Sequence, residues 1–273
     1  RVATLSRFVP ASQQKDTVDA IRRGEVDIVI GTQRLLQKDV AFKNLGLLVI
    51  DEEHRFGVMH KERLKNARKD INVLTLSATP IPRTLSMSLR GIRDISTINT
   101  PPHRRRPVLT VTTPWKNETM LRAVKRELSR GGQVFFVVNR ISRIEEKKRY
   151  LESVFPEART VVAHGQMPER ELEQTMTDFY NGAYDILLCT TIIESGLDVA
   201  RANTLIIDDA QELGLAQMYQ LRGRIGRREQ EAYAFFFYPE HALLRQETTE
   251  RLEAIASFSE IGAGFGLARQ DLE

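Results

Sequence analysis

Residues Gly24–Thr32 read GEVDIVIGT, and residues Gly182–Thr190, 158 positions later, read GAYDILLCT. Gly24 falls on Gly182, Asp27 on Asp185 and Thr32 on Thr190. Each copy has a glycine that can stop a helix, then a short apolar run rich in branched side chains, the pattern of a buried parallel strand. The offset extends further. Leu47–Ile50, which runs into Asp51-Glu52-Glu53-His54, falls on Leu205–Asp208, which runs into Asp209-Ala210-Gln211. One piece of α/β architecture is therefore used twice. On this offset Glu52 falls on Ala210, so the acidic pair is expected in the first copy alone.

Helix and strand signals alternate on both sides of these repeats, which argues for parallel α/β units. A helix is expected from Ser12 to Arg23, with Ser12 as its cap and Gly24 as its stop. Strands are expected at Val26–Ile30, Leu45–Ile50 and Val73–Leu76. The prolines of Thr100-Pro101-Pro102-His103-Arg104-Arg105-Arg106-Pro107 forbid regular structure and read as a linker. The second half restarts with a helix capped by Asn117 and ended by Gly131-Gly132. Strands follow at Gln133–Asn139, Thr160–His164, Asp185–Thr190, Thr204–Asp208 and Ala232–Tyr238. Helices are expected over 142–154 and from Pro168 to Tyr180. From His241 the chain turns helical, with Leu252, Ile255 and Ala256 on one face. The domains are thus 1–100, a linker at 101–107, 108–240, and the start of a helical module at 241–273.

With 273 residues the chain is long enough for two cores. Lys and Arg number 40 against 36 Asp and Glu, a net charge of +4. That modest excess permits a nucleic-acid partner without demanding one. No apolar run is long enough to span a bilayer, so no membrane partner is expected. The single Cys189 excludes an internal disulfide and fits a reducing cytoplasm. The opening at Arg1 and the ending at Glu273 read as the edges of a piece of a longer protein.

Asp51 and Glu52 follow an apolar strand directly, and the carboxyl end of a parallel strand faces the ligand crevice. Phosphoryl transfer needs a carboxylate to hold Mg²⁺, usually through water, and a second group to orient or deprotonate the attacking water. Asp51 fits the first task and Glu52 the second; an exposed acidic turn is the alternative. In Gln220-Leu221-Arg222-Gly223-Arg224-Ile225-Gly226-Arg227, two arginines each follow a glycine. Guanidinium groups there suit charge developing on a transferring phosphoryl group, although a basic surface loop has the same composition. Trp115 reads as a packing residue rather than a base-stacking one.

Taken in order, DEEH (51–54), LSATPIPRTL (76–85), TTIIESGLDV (190–199) and QLRGRIGR (220–227) resemble the superfamily 2 helicase and translocase motors over nearly the whole chain. Within them, LSRF (5–8), HRFGVMHKERLK (54–65), TPPHRRRPV (100–108), GLAQMYQLRGRIGR (214–227) and AYAFFFYP (232–239) resemble the bacterial transcription-repair coupling factors more than the RecG branch-migration helicases. The resemblance implies two tandem RecA-like parallel-sheet domains, the first truncated at its amino end, followed by a short helical segment. ATP and Mg²⁺ are the implied cofactors, bound in the cleft between the domains. It also implies roles residue by residue. Asp51 (through water to Mg²⁺), Glu52, His54, Gln220, Arg224 and Arg227 would serve hydrolysis. Gly196 and Asp198 would lie by the nucleotide, and Ser77 and Thr79 would couple hydrolysis to domain movement. Gly31, Thr32, Gln33 and Arg34, with His164, Gly165, Thr190 and Thr191, would touch the DNA backbone. The implied partners are double-stranded DNA directly, and RNA polymerase and nucleotide-excision repair proteins through domains outside this chain, in a bacterial cytoplasm.

One departure stands out. None of the 16 glycines is followed by lysine, so the Gly-Lys-Ser/Thr that cradles the β- and γ-phosphates is absent. In the family that loop lies upstream, together with the first strand of the sheet. The chain alone is therefore expected not to turn over ATP. A RecG-like fork-remodelling helicase and a non-catalytic DNA- or protein-binding module are the competing expectations.

Overall fold

The structure, a computed structural model, describes residues 1–6, 9–52, 71–77, 94, 96, 98, 106–194, 199–226, 229–241 and 244–257. The chain divides into two compact units, Arg1–Ala78 and Thr79–Glu273.

In the first unit, β1 (Val2–Leu5) pairs in parallel with β2 (Ile28–Gly31), and β3 (Leu47–Asp51) with β4 (Asn72–Leu76). Parallel neighbours need a crossover, and helix α1 (Ala11–Arg23) supplies it between β1 and β2. Its Val18 and Ile21 bury against Leu5, with Val29, Leu35 and Phe42 packed around them. The helix begins one residue before Ser12 and has no side-chain cap. Pro10 precedes it with φ −51°, a value its ring pre-sets. It ends as expected at Gly24, whose φ of 77° is a left-handed stop.

The second unit is an all-parallel six-stranded sheet in the order β5-β10-β9-β6-β8-β7. The strands are β5 (Val108–Pro114), β6 (Gln133–Val137), β7 (Thr160–Ala163), β8 (Ile186–Cys189), β9 (Ala202–Ile207) and β10 (Ala232–Tyr238). Alternation along β6 explains the two layers. Val134 and Phe136 face a core shared with α2 (Asn117–Ser129) and α3 (Ile144–Val154). Phe135 and Val137 face a core shared with α4 (Glu169–Tyr180), α5 (Leu215–Arg222) and α6 (Gln246–Ser257). Parallel strands covered on both faces are mostly apolar along their length, and β6, β8 and β9 are buried throughout, with Gln133, Asn203 and Thr204 as their buried polar members.

The 158-residue repeat is physical. Val2 pairs with Ile28 as Thr160 pairs with Ile186. The Arg1 carbonyl accepts the N–H groups of Asp27 and Ile28, and the Arg159 carbonyl accepts those of Asp185 and Ile186. Gly24 and Gly182 share positive φ, and 3-10 turns follow at Gln33–Leu36 and Thr191–Glu194.

Some local details differ from expectation. Asn117 does not cap α2; its side-chain oxygen accepts the Trp115 indole N–H at 2.7 Å. The helix expected over 142–154 opens as a 3-10 turn, Ile141–Arg143, before α3. In α6, Ala254 rather than Ala256 is buried beside Leu252 and Ile255. Trp115 packs as expected, 4.9 Å from Phe237 and 6.4 Å from Phe136. Among the described residues no helix is long and apolar enough to cross a membrane.

Candidate nucleotide and nucleic-acid site

In the first unit, β3 delivers Asp51 to its carboxyl end with the side chain exposed, and Glu52 follows in a left-handed turn with φ 53°. That backbone is costly for a residue with a Cβ, and such residues cluster at functional sites. The Glu52 N–H bonds to the Leu76 carbonyl at 3.0 Å, which ties the acidic turn to the end of β4. The next residue on β4's side is Ser77, whose hydroxyl donates to Glu52 Oε2 at 3.4 Å. Two residues assigned by sequence to hydrolysis and to coupling are thus brought together within one unit. The exposed Asp51 carboxylate suits a metal held through water, and among the described residues no group of three metal-ligating side chains competes for that task.

Gly31, Thr32 and Gln33 are exposed at the carboxyl end of β2. Gly31 is there for steric reasons: a Cβ would stand 2.0 Å from the Leu5 carbonyl oxygen. Arg34 behaves differently. Its Nη1 and Nη2 donate to the two Asp39 carboxylate oxygens at 2.8 and 2.6 Å, and its Nε donates to Gln14 at 2.8 Å. The guanidinium holds the Asp39 carboxyl below the usual carboxylate range.

In the second unit, the carboxyl ends of β7 and β8 bring His164, Gly165, Thr190 and Thr191 together. The Thr190 N–H bonds to the Ala163 carbonyl, and His164 precedes a turn closed by Met167 N–H to the His164 carbonyl at 3.1 Å. His164 Nδ1 is buried without a partner. Cys189, directly beneath Thr190, is fully buried, and burial pushes its thiol pKa far up, so it is a packing residue.

The expected match of Glu52 to Ala210 is corrected here. Asp209, not Ala210, shares the left-handed turn, with φ 58°; Glu52 and Asp209 are the non-glycine residues with positive φ among those described. Matching the two turns by this shared conformation sets Asp208-Asp209 against Asp51-Glu52, one residue off the 158-residue offset. The second copy keeps its acidic pair, but cations fill it. Lys147 Nζ lies 2.9 Å from Asp208 Oδ2 and 4.0 Å from the centre of the Trp115 ring. Arg143 reaches Asp208 at 3.4 Å and also bonds Asp209. Lys147 and Asp208 are both nearly inaccessible to solvent. The sequence hid this because Lys147 belongs to a charged stretch that reads as a solvated helix face.

The arginine motif divides its labour. Gln220 is half-buried on α5, and Arg224 follows the helix in a turn closed by its own N–H to the Leu221 carbonyl at 3.0 Å. Gly226, with φ 67°, lets that loop lie against the first residues of β5 and β10; a Cβ there would stand 2.8 Å from Val108 Cγ2. Arg222, which sequence reasoning did not single out, is buried and donates to the Ile255 carbonyl at 2.8 Å. It therefore grips the last turn of α6, where the carbonyl groups favour a cation. Burial lowers its pKa, and charge interaction and a hydrogen bond with Tyr219, whose ring centre lies 5.0 Å away, oppose that. His54, Thr79, Gly196, Asp198 and Arg227 lie outside the described residues.

Comparison with known proteins fits this geometry. Residues 2–88 match the DEAD/DEAH box helicase family and residues 115–229 the helicase conserved C-terminal domain family. The chain belongs to the superfamily 2 helicases and carries both of their RecA-like domains. Its relatives include the transcription-repair-coupling factors of Staphylococcus epidermidis, 51% identical over 271 residues, and of Staphylococcus haemolyticus, 51% identical over 272 residues. These matches take in 99% and 100% of this chain, which spans 23% of each relative. Among solved structures, RecG bound to a three-way DNA junction is 37% identical with a TM-score of 0.75, over 99% of this chain and 36% of that one.

Proposed function

We propose that this chain is the motor part of an ATP-dependent double-stranded DNA translocase whose longer form displaces stalled RNA polymerase and promotes transcription-coupled repair in the bacterial cytoplasm. The observation that carries the reading is the acidic turn: an exposed Asp51 and a left-handed Glu52 bonded to Ser77, on a chain 51% identical to transcription-repair-coupling factors. The identity of 51% to those factors, against 37% to RecG, supports polymerase displacement over fork remodelling.

In this reading Asp51 would hold Mg²⁺ through water and Glu52 would take the proton of the attacking water, with His54 assigned to the same hydrolysis. Mg²⁺ supplies charge neutralisation on the phosphates. Gln220, Arg224, Arg227, Gly196 and Asp198 are assigned to nucleotide binding and hydrolysis, the arginines to phosphates. Ser77 and Thr79 transmit the change in Glu52. Thr32 and Gln33, with Thr190, Thr191, His164 and Gly165, hold the DNA backbone; equivalent hydroxyl turns on two related units suit stepping along a strand. Backbone contacts give salt-sensitive binding without sequence choice. Because no glycine in the chain precedes a lysine, phosphate binding lacks its usual cradle, and the chain alone does not turn over ATP.

The test is competition binding. Duplex DNA of arbitrary sequence should displace a labelled duplex from the chain better than single-stranded RNA does, with affinity falling as salt rises. Preference for RNA, or salt-independent binding, rejects the reading.

A further inference from the structure

The GTQR turn, Gly31–Arg34, looks like a phosphate grip whose strongest member is its arginine. The structure assigns that arginine another task. Arg34's side chain is 13% exposed, while that of its partner Asp39 is 51% exposed. Its fork is filled by both Asp39 oxygens, the bidentate geometry a phosphate would otherwise take. Its remaining Nε is filled by Gln14, which is itself fixed by donating to the Val9 carbonyl at 2.7 Å. The Asp39 carbonyl accepts from Arg22 at 3.2 Å. One guanidinium therefore ties α1 to the segment after the 3-10 turn. Within that turn the backbone bonds run from Leu35 N–H to the Thr32 carbonyl and from Gln37 N–H to the Arg34 carbonyl.

The internal repeat supplies a control. Adding 158 places Arg34 on Ile192 and Gln14 on Leu172. Both are half-buried and pack against the core of the second unit. An isoleucine cannot bind a phosphate, yet the 3-10 turn there is the same. The position fastens the turn in both copies, by packing in one and by an ion pair in the other. The residues just before it differ in exposure: Thr32 and Gln33 are exposed here, whereas Thr191 is half-buried and Thr190 buried there.

We propose that Arg34 is a positioning residue and not a DNA ligand: with Asp39 and Gln14 it locks the turn that presents Thr32 and Gln33 to a nucleic-acid phosphate. This rests on the duplex-DNA reading above.

The experiment measures duplex-DNA affinity of the chain over a salt series for Arg34→Gln, Arg34→Lys, Asp39→Asn and the milder Gln14→Ala. Arg34→Gln and Asp39→Asn should each weaken binding about threefold, the worth of a half-exposed ion pair. The slope of log affinity against log salt should not change. Asp39→Asn should weaken binding even though it removes a negative charge, and Arg34→Lys should not restore it, because an ammonium lacks the fork. The proposal is overturned if Arg34→Gln flattens the slope by about 0.9, one lost phosphate contact, while Asp39→Asn strengthens binding. If the unaltered chain does not bind duplex DNA, the translocase reading falls instead. The lock is then read by hydrogen exchange over residues 32–40, where faster uptake in Arg34→Gln and Asp39→Asn upholds it and unchanged uptake rejects it.

Discussion

Glu52 and Asp209 hold the same left-handed backbone, φ 53° and 58°, each directly following an aspartate at the carboxyl end of a parallel strand. Their surroundings separate their fates. Glu52 meets a serine hydroxyl, whereas the Asp208-Asp209 pair is occupied by Lys147 and Arg143. A lysine ammonium 2.9 Å from Asp208 stands where a bound cation would otherwise be drawn. Charge, more than the loss of a carboxylate, distinguishes the two copies.

Glu52→Gln keeps the shape of the turn and removes the carboxylate proposed as the base. In a longer form of the protein that hydrolyses ATP, the substitution should lower turnover by roughly 10²–10⁴-fold, the usual worth of a general base. DNA affinity should be unchanged. Steady-state hydrolysis alongside DNA binding checks both.

Lys147→Met leaves the buried Asp208 with Arg143 at 3.4 Å in place of its nearer cation, so the loss should fall below the about 3–5 kcal/mol of a fully broken buried pair. Asp208→Asn added to it should return most of that loss. The chain has a single tryptophan, and Lys147 lies over its ring, so urea unfolding followed by Trp115 fluorescence reads this cluster directly.

Much of this was legible in the sequence. The repeat of Gly24 on Gly182 and Asp27 on Asp185 carried through to matching strand registers, because a helix stop and a strand start are local features. The neutralised second acidic turn was not legible. It depends on Lys147 reaching across from α3 to β9, and on a match one residue off the repeat that backbone conformation reveals and side-chain identity conceals. The Arg34–Asp39 pairing was not legible either: a basic residue in a turn reads as a ligand, and nothing in the sequence signals that Asp39 fills its fork. Arg222 sat inside a recognised motif, so its grip on the Ile255 carbonyl had no separate signal.

Gly226→Ala forces a Cβ into contact with Val108 and Ala232 at a positive φ. Destabilisation of about 1–3 kcal/mol is expected from the backbone alone, with more from the overlap. Thermal unfolding of the variant should show it, and an unchanged midpoint would mean the loop does not pack as described.

Asp185 bonds Arg159, which lowers its folded pKa. The unfolded carboxyl titrates near about 3.9. Its contribution to stability is therefore fully present above that value and is lost as pH falls through the lower folded pKa. Asp185→Asn should reduce stability at neutral pH and shrink the loss on acidification. A variant whose acid dependence matches the parent contradicts the assignment.

The most direct test compares ATP hydrolysis, with and without duplex DNA, by this chain and by a form extended to include a Gly-Lys-Ser/Thr phosphate loop. Turnover by the extended form alone, accelerated by DNA and abolished by Glu52→Gln, is the expected result. Hydrolysis by the short chain, or an extended form that binds DNA yet never hydrolyses ATP, would contradict the motor assignment.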